Sequence, residues 1–350
     1  MKTVKILTSI ALLAILSGAC ASADDDPVAD VTVSIDSPAT IALEEGGEVQ
    51  LTASASDGAS ILWSTTDTAV ATVTDGGKLT AKAYGTARVT AAAGQAKASR
   101  LVMVKGYTLV WSDEFEEDGL DPETWNVETG GNGWGNNEKQ YYTGREENLR
   151  TEGGCLVIQA RKEKYEGNSY TSARITTKDK ASFTYGKIEA RMKLPKGGGT
   201  WPAFWMLGYG SWPYCGEIDI MEHVGNDPDM ISHALHTAQA NGSNGRNWYS
   251  QARGLSVEDE WHTYGIEWQQ NYQDGRDIII FTIDGQVTAR KIQSPNAAKD
   301  SWPFNDEFFI IFNMAIGGNM GGTVNDDIFN SEVKLLVDYV RVYQKKYPIE

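Results

Sequence analysis

The sequence predicts an all-β protein in two parts, a small antiparallel sandwich followed by a larger sandwich or jelly roll. Three observations carry this. Residues 30–105 alternate apolar and polar side chains in short runs punctuated by turn residues, as in Val31-Thr32-Val33-Ser34-Ile35 and Ala87-Arg88-Val89-Thr90-Ala91. From Tyr107 onward strand-like runs follow one another with few helical patterns, over about 240 residues. Tryptophan is also uneven: Trp63 stands alone before residue 105, and the rest of the 11 follow it.

In chain order, residues 1–19 read as a signal peptide, with Lys2 and Lys5 ahead of an apolar run from Ile6 to Leu16 too short to span a bilayer. Ser17-Gly18-Ala19-Cys20 resembles a bacterial lipoprotein signal, which implies lipidation of Cys20 and an outer-membrane or cell-surface location. Leu16 sits one place further from the cysteine than the usual pattern has it, so plain secretion is the alternative. Residues 20–29, with Asp24-Asp25-Asp26, read as an acidic tether. Any membrane link is then through the lipid. The net charge of −16 argues against nucleic acid as a partner, because phosphate binding needs basic patches.

Residues 30–105 contain Trp63-Ser64-Thr65-Thr66-Asp67 to Val73 and Gly77-Lys78-Leu79 to Ala87, which resemble the bacterial immunoglobulin-like domains of group 2. With no acid pair and no nucleophile, this part reads as a spacer rather than a glycan-binding module. The boundary is expected at Lys105-Gly106. Cys155 and Cys215 could pair in an oxidising compartment, but they read better as buried free thiols, since nothing places them close together.

The expected strands of the large domain, residues 106–347, include Leu156–Ala160, Gly186–Leu194, Asp277–Ile283, Phe308–Ala315 and Leu335–Tyr343. Its focus is Gly216-Glu217-Ile218-Asp219-Ile220-Met221-Glu222. In a strand Glu217 and Asp219 share one face, while Ile218 and Ile220 face the core. A regular strand would turn Glu222 inward, and burying an unpaired charge there costs several kcal/mol. One extra residue, a β-bulge around Met221, returns Glu222 to the face of the other two acids. An exposed edge strand with solvated acids is the bland alternative.

Further segments come in fixed order: Gly130-Gly131-Asn132-Gly133-Trp134-Gly135-Asn136-Asn137-Glu138, Trp201-Pro202-Ala203-Phe204-Trp205-Met206-Leu207-Gly208, Cys215 to Val224, and Asn313-Met314-Ala315-Ile316-Gly317-Gly318. Together they resemble glycoside hydrolase family 16, and within it the bacterial laminarinases. The resemblance implies a concanavalin-like β-jelly roll of two curved antiparallel sheets with a concave cleft, and retaining endo-hydrolysis of β-1,3-glucan. Carried over from the motif, Glu217 is the nucleophile, Asp219 orients it, and Glu222 is the general acid/base. The resemblance further implies Trp134, Trp205 and Trp212 as sugar platforms, and Asn136, Glu138, Arg174, His236 and Asn313 as groups that bind sugar hydroxyls. Trp201 fits core or cleft equally. Met320 stands where laminarinases commonly carry Trp.

No cofactor is expected for catalysis. The family implies a structural calcium on the side chain of Asp338 with main-chain oxygens near Glu114 and Gly154. A site built from His223, His233 and His236 matches no ligand spacing. A monomer is expected. The alternatives are the same mechanism on mixed-linkage glucan or agarose-type galactan, a transglycosylase, and a non-hydrolytic β-glucan-binding protein. The last is opposed by the presence of all three acids.

Overall fold

The computed structural model describes residues 30–348; the expectations for residues 1–29, lipidation of Cys20 included, lie outside them. Among the described residues no helix is long and apolar enough to cross a membrane. Strands dominate, as the alternating pattern predicts, and the expected strands of the large domain form as Leu156–Tyr165, Gly186–Lys193, Arg276–Ile283, Phe308–Ile316 and Val333–Lys346.

Two sheets enclose the core of the large domain. The first, the cleft sheet, has 8 strands, ordered Asn126–Glu128, Arg174–Thr176, Phe308–Ile316, Thr200–Gly208, Glu217–His223, Met230–His236 and Trp248–Arg253, with Ser182–Phe183 paired to Phe308–Ile316 off this path. Period-2 alternation sorts its residues. Phe204 and Met206 enter the core, whereas Trp201, Ala203, Trp205 and Leu207 line the cleft. Likewise Phe308, Ile310, Phe312 and Met314 pack inward while Asn313 faces the cleft.

The second sheet packs Ile188, Ala190, Met192, Leu335, Val337, Val340 and Val342 against the same core. Nearly all pairings are antiparallel; among the described residues of this domain Gln140–Tyr142 runs parallel to Asn168–Ser172, and Leu194 forms a parallel bridge to Glu258.

The N-terminal part has its own core of small residues, Ile41, Leu51, Ala71, Leu79, Val89 and Val102 among them. No loop separates the two parts. A single strand, Ala96–Asp113, pairs with Gly85–Ala93 and Thr40–Glu44 up to Lys105, and from Gly106 onward with Val333–Lys346. Cys155 and Cys215 are both free thiols, the first half-buried and the second buried.

Candidate active site

The acids reach the cleft because the strand carrying them is irregular. Against Thr200–Gly208, Glu222 pairs with Ala203 and Met221 with Phe204, but Asp219 pairs with Trp205, so Ile220 is passed over. On the other side the register shifts between Asp219 and Glu222. The bulge therefore spans Ile220 and Met221, both fully buried in the core. Met221 keeps a ladder partner, so the extra residue on the Thr200–Gly208 side is Ile220, one place earlier than the sequence suggested. The consequence is the expected one: Glu217, Asp219 and Glu222 all line a cleft of about 660 Å³.

Two indoles hold the outer acids. Trp212 Nε1–H donates to Glu217 Oε2 at 2.7 Å. Trp201 Nε1–H donates to Glu222 Oε1 at 3.1 Å, which gives this nearly buried indole a place in the site. Asp219 is 4% exposed, and its Oδ2 has no aligned hydrogen-bond donor.

Burial pushes all three carboxyls up. Glu217 rises to about 8, through burial first and the neighbouring Asp219 charge second, against the opposing pull of His236 and the Trp212 bond. Glu222 rises to about 7, again mainly by burial, with the Trp201 bond pulling it down. Asp219 is raised well above its usual range by burial and by the Glu222 charge. Three acids this close share protons, so their titrations belong to the cluster rather than to any one of them. Near neutrality the cluster holds fewer than three negative charges, which is what acid–base chemistry between carboxyls requires.

His236 sits opposite Glu217 in the ladder. Its Nε2 lies 3.2 Å from Asp219 Oδ2, without the alignment of a hydrogen bond, and 3.8 Å from Glu217 Oε1. On the far side of the ring, the Gly242 amide donates to Nδ1 at 3.0 Å. An Nδ1 that accepts leaves the ring proton on Nε2, facing the acids. Glu217, Asp219 and His236 bring three ligand-type atoms within 4.8 Å of one another. A cation there would have to displace the Nε2 proton, and the Gly242 amide would lose its acceptor. The other histidines are spent elsewhere: His233 bridges Ile220 O and Thr288, and His223 contacts Met230 O and Glu258.

Toward the Arg174–Thr176 edge the remaining predicted residues form one bonded chain. Trp205 Nε1–H donates to Asn313 Oδ1 at 2.7 Å, Asn313 Nδ2–H to Tyr142 Oη at 3.0 Å, and Tyr142 Oη–H to Glu138 Oε2 at 3.0 Å. Gln140 also donates to Glu138, and Asn136 approaches it at 3.4 Å. Burial raises Glu138 above its usual value. Arg174 is ion-paired with Glu128, and its guanidinium lies 4.7 Å from the ring centre of Trp134 and 4.8 Å from that of Trp205. The cation covers one face of each of these indoles, and both still line the cleft. Trp212, 41% exposed, keeps free surface. The sequence reading missed Gln140 and Tyr142 behind this chain, and Gly242, Ser243, Asn247, Tyr249 and Asn319 on the rim. Polar residues scattered over short strands and loops leave no periodic signal.

Of the expected calcium ligands, the Asp338 carboxylate has its Oδ2 2.8 Å from Arg191, so that oxygen already serves a guanidinium; the Glu114 side chain forks onto Arg341 and leaves only its main-chain oxygen for the expected role. Main-chain oxygens are of the type calcium takes, and Arg191 competes for the one carboxylate.

Comparison with known proteins agrees with this geometry. Residues 136–331 match Glycosyl hydrolases family 16, and residues 27–103 match the bacterial Ig-like domain of group 2. The chain is 46% identical over 246 residues to a beta-glucanase of Rhodothermus marinus, spanning 68% of this chain and 85% of that protein. The solved laminarinase of Rhodothermus marinus superposes with a TM-score of 0.65 at 44% identity, covering 69% of this chain and 99% of that one. A structure described as a non-specific endo-beta-1,3(4)-glucanase, SCLam, superposes with a TM-score of 0.64 at 39% identity, covering 69% and 92%.

Proposed function

The chain belongs to the glycosyl hydrolases of family 16, and we propose that it is a retaining endo-β-1,3-glucanase acting on laminarin-type polysaccharide. The observation that carries this is the bulged strand that turns Glu217, Asp219 and Glu222 into one cleft, each outer acid tied to an indole. A cleft lined from Trp134 and Arg174 across to Tyr249 suits an internal stretch of a polymer.

The reaction needs two carboxyls in opposite protonation states. Glu217, as carboxylate, attacks the anomeric carbon while Glu222, protonated, gives its proton to the glycosidic oxygen. The C–O bond breaks, leaving a glycosyl ester on Glu217 and a carboxylate on Glu222. Glu222 then takes a proton from water, whose oxygen attacks from the face the leaving group vacated and displaces the Glu217 carboxylate. The indole N–H of Trp212 and a proton held on Asp219 stabilise the charge on Glu217 between turnovers. The chemistry draws on no cofactor.

Substrate breadth is the second reading: the likeness to a non-specific β-1,3(4)-glucanase supports action on mixed-linkage glucan too. Product analysis on laminarin, lichenan and agarose tests both. The account expects oligosaccharides of graded length from laminarin and none from agarose; products from agarose alone would refute it. Export with a lipid anchor on Cys20 belongs to the same proposal, supported by the signal-like segment of the sequence, and the chain is taken to act as a monomer. Replacing Cys20 with Ser should release the protein from the membrane fraction. Persistence there would refute the anchor. A calcium bound at Asp338 would have to draw that carboxylate away from Arg191, and it would act on stability alone.

A further inference from the structure

We propose that the backbone amide of Gly242 is a tautomer lock that keeps the His236 proton on Nε2, facing the nucleophile and its partner acid. The inference rests on the function proposed above and extends it to the rim of the cleft. A neutral imidazole has one donor nitrogen and one acceptor nitrogen, and the hydrogen bond made by one decides the role of the other. Here Gly242 N–H occupies the Nδ1 lone pair at 3.0 Å. The donor edge of the ring is thereby turned toward Asp219 Oδ2 at 3.2 Å and Glu217 Oε1 at 3.8 Å. With the opposite tautomer a lone pair would face two carboxyls and favour their protonated forms, which disarms a nucleophile. His236 is in this sense a positioning residue, and Gly242 positions it in turn.

The amide is held in place by its own turn. Asn241 is 4% exposed; its side chain accepts from Asn244 N–H and donates to Thr237 O at 3.0 Å, while the Asn244 side chain accepts from Asn241 N–H. The segment Gly242–Asn244 is thus clamped to the end of the Met230–His236 strand, the strand that carries the imidazole. The groups facing the ring are Glu217 and Asp219 from the acid strand and the indole of Trp212, with Glu222 further along the same strand.

Two substitutions bear on the N–H. A Cβ at Gly242 meets His236 Cε1 at 3.2 Å in both Gly242→Ala and Gly242→Pro, and proline also sets its Cδ where the proton pointed at Nδ1, so it displaces the ring as well as removing the donor. Only proline removes the donor. Asn241 is already extended, at φ −150 and ψ 172, the conformation a residue before proline prefers, and Gly242 opens a 3-10 turn, where proline is tolerated. Nitrogen-15 NMR of the imidazoles, tractable with 4 histidines, reads the tautomer without reference to activity. The expected result is the Nε2–H form of His236 in the wild type and in Gly242→Ala, and a mixture in Gly242→Pro. On laminarin, kcat of Gly242→Pro should fall about tenfold or more below that of Gly242→Ala, as the displaced ring no longer turns its Nε2 donor toward the acids, with KM within about twofold. The acid limb of its kcat/KM profile should also move to higher pH. His236→Gln, which keeps an N–H where Nε2 stood, tests the donor without displacing a ring and is expected to exceed His236→Ala in kcat by about tenfold. An Nδ1–H wild-type tautomer, identical pH profiles for the Ala and Pro variants, or equal losses for Gln and Ala at 236 would overturn the lock. A wild type inactive on every glucan but holding the Nε2–H tautomer would refute the function and leave the lock standing.

Discussion

The acids of the second sheet and the three acids of the bulged cleft strand are treated in opposite ways. On the second sheet acids meet bases: Arg341 forks onto Glu114 and holds it below its usual range, Arg191 pairs with Asp338, and Lys187 with Glu189. On the cleft sheet three acids lie side by side with no arginine or lysine bonded to any of them, and only indoles and one imidazole for company. Opposite charges make the first set inert. Burial without such partners lifts the second set to where protons move at neutral pH. The contrast locates function by what the fold leaves unneutralised.

The largest break in that contrast comes from removing charge on the cleft side. Glu217→Gln and Glu222→Gln should each fold and lose at least about 10³ in kcat on laminarin, whereas Asp338→Asn stays within about threefold. Circular dichroism beside the assay separates chemistry from folding, and near-normal turnover in either glutamine variant would end the assignment. Deleting Ile220 or Met221 comes next. It would restore a regular strand in which Glu222, now two positions after Asp219, still faces the cleft but sits one residue closer to Glu217, so turnover on laminarin should fall by about tenfold or more while the fold is kept. A deletion variant with native turnover would show that the bulge is dispensable.

Smaller, and opposite in sign, is the effect of the acids on stability. Glu222 binds its proton more tightly folded than unfolded, so its favourable contribution is complete below about pH 4.5 and is lost as pH rises through about 7. Glu222→Gln should therefore be more stable than the wild type at pH 8 by about 1–3 kcal/mol, a gain that disappears near pH 4. Removing Arg341 should do the reverse, costing about 1 kcal/mol at pH 8 because Glu114 loses the partner that lowers it. A Glu222→Gln variant less stable than wild type at pH 8 would contradict the contrast. Smallest of all is the response to chelation. With the Asp338 carboxylate already paired to Arg191, EDTA should shift the melting temperature by less than about 2 °C, and a larger drop would show a bound ion after all.

The triad was legible because charge breaks a period-2 pattern where nothing else explains it. Three acids in seven residues cannot all point outward from a regular strand, and the cost of burying one implied the bulge. The exact extra residue was not legible, since it depends on which neighbour is counted: Ile220 is skipped against Thr200–Gly208, while Ile220 and Met221 together face one position on Met230–His236. Arg174 was named as a sugar ligand, yet its stacking on Trp134 and Trp205 depends on residues 31 to 40 positions away, and on a guanidinium that could equally have faced solvent. His236 carried no visible link to the acids for the same reason. Its partners come from register and from a turn that closes back on it, and neither has a signature in spacing. The continuous strand Ala96–Asp113 shows the same limit at larger scale: alternation marks both halves but not that they are one strand.

The most direct test of the central claim is the anomeric configuration of the first product. Proton NMR during laminarin hydrolysis should show the β-anomer of the new reducing end appearing first and mutarotating afterward, because Glu217 and water attack in succession from opposite and then restored directions. First appearance of the α-anomer would mean a single displacement by water, and Glu217 could not be the nucleophile.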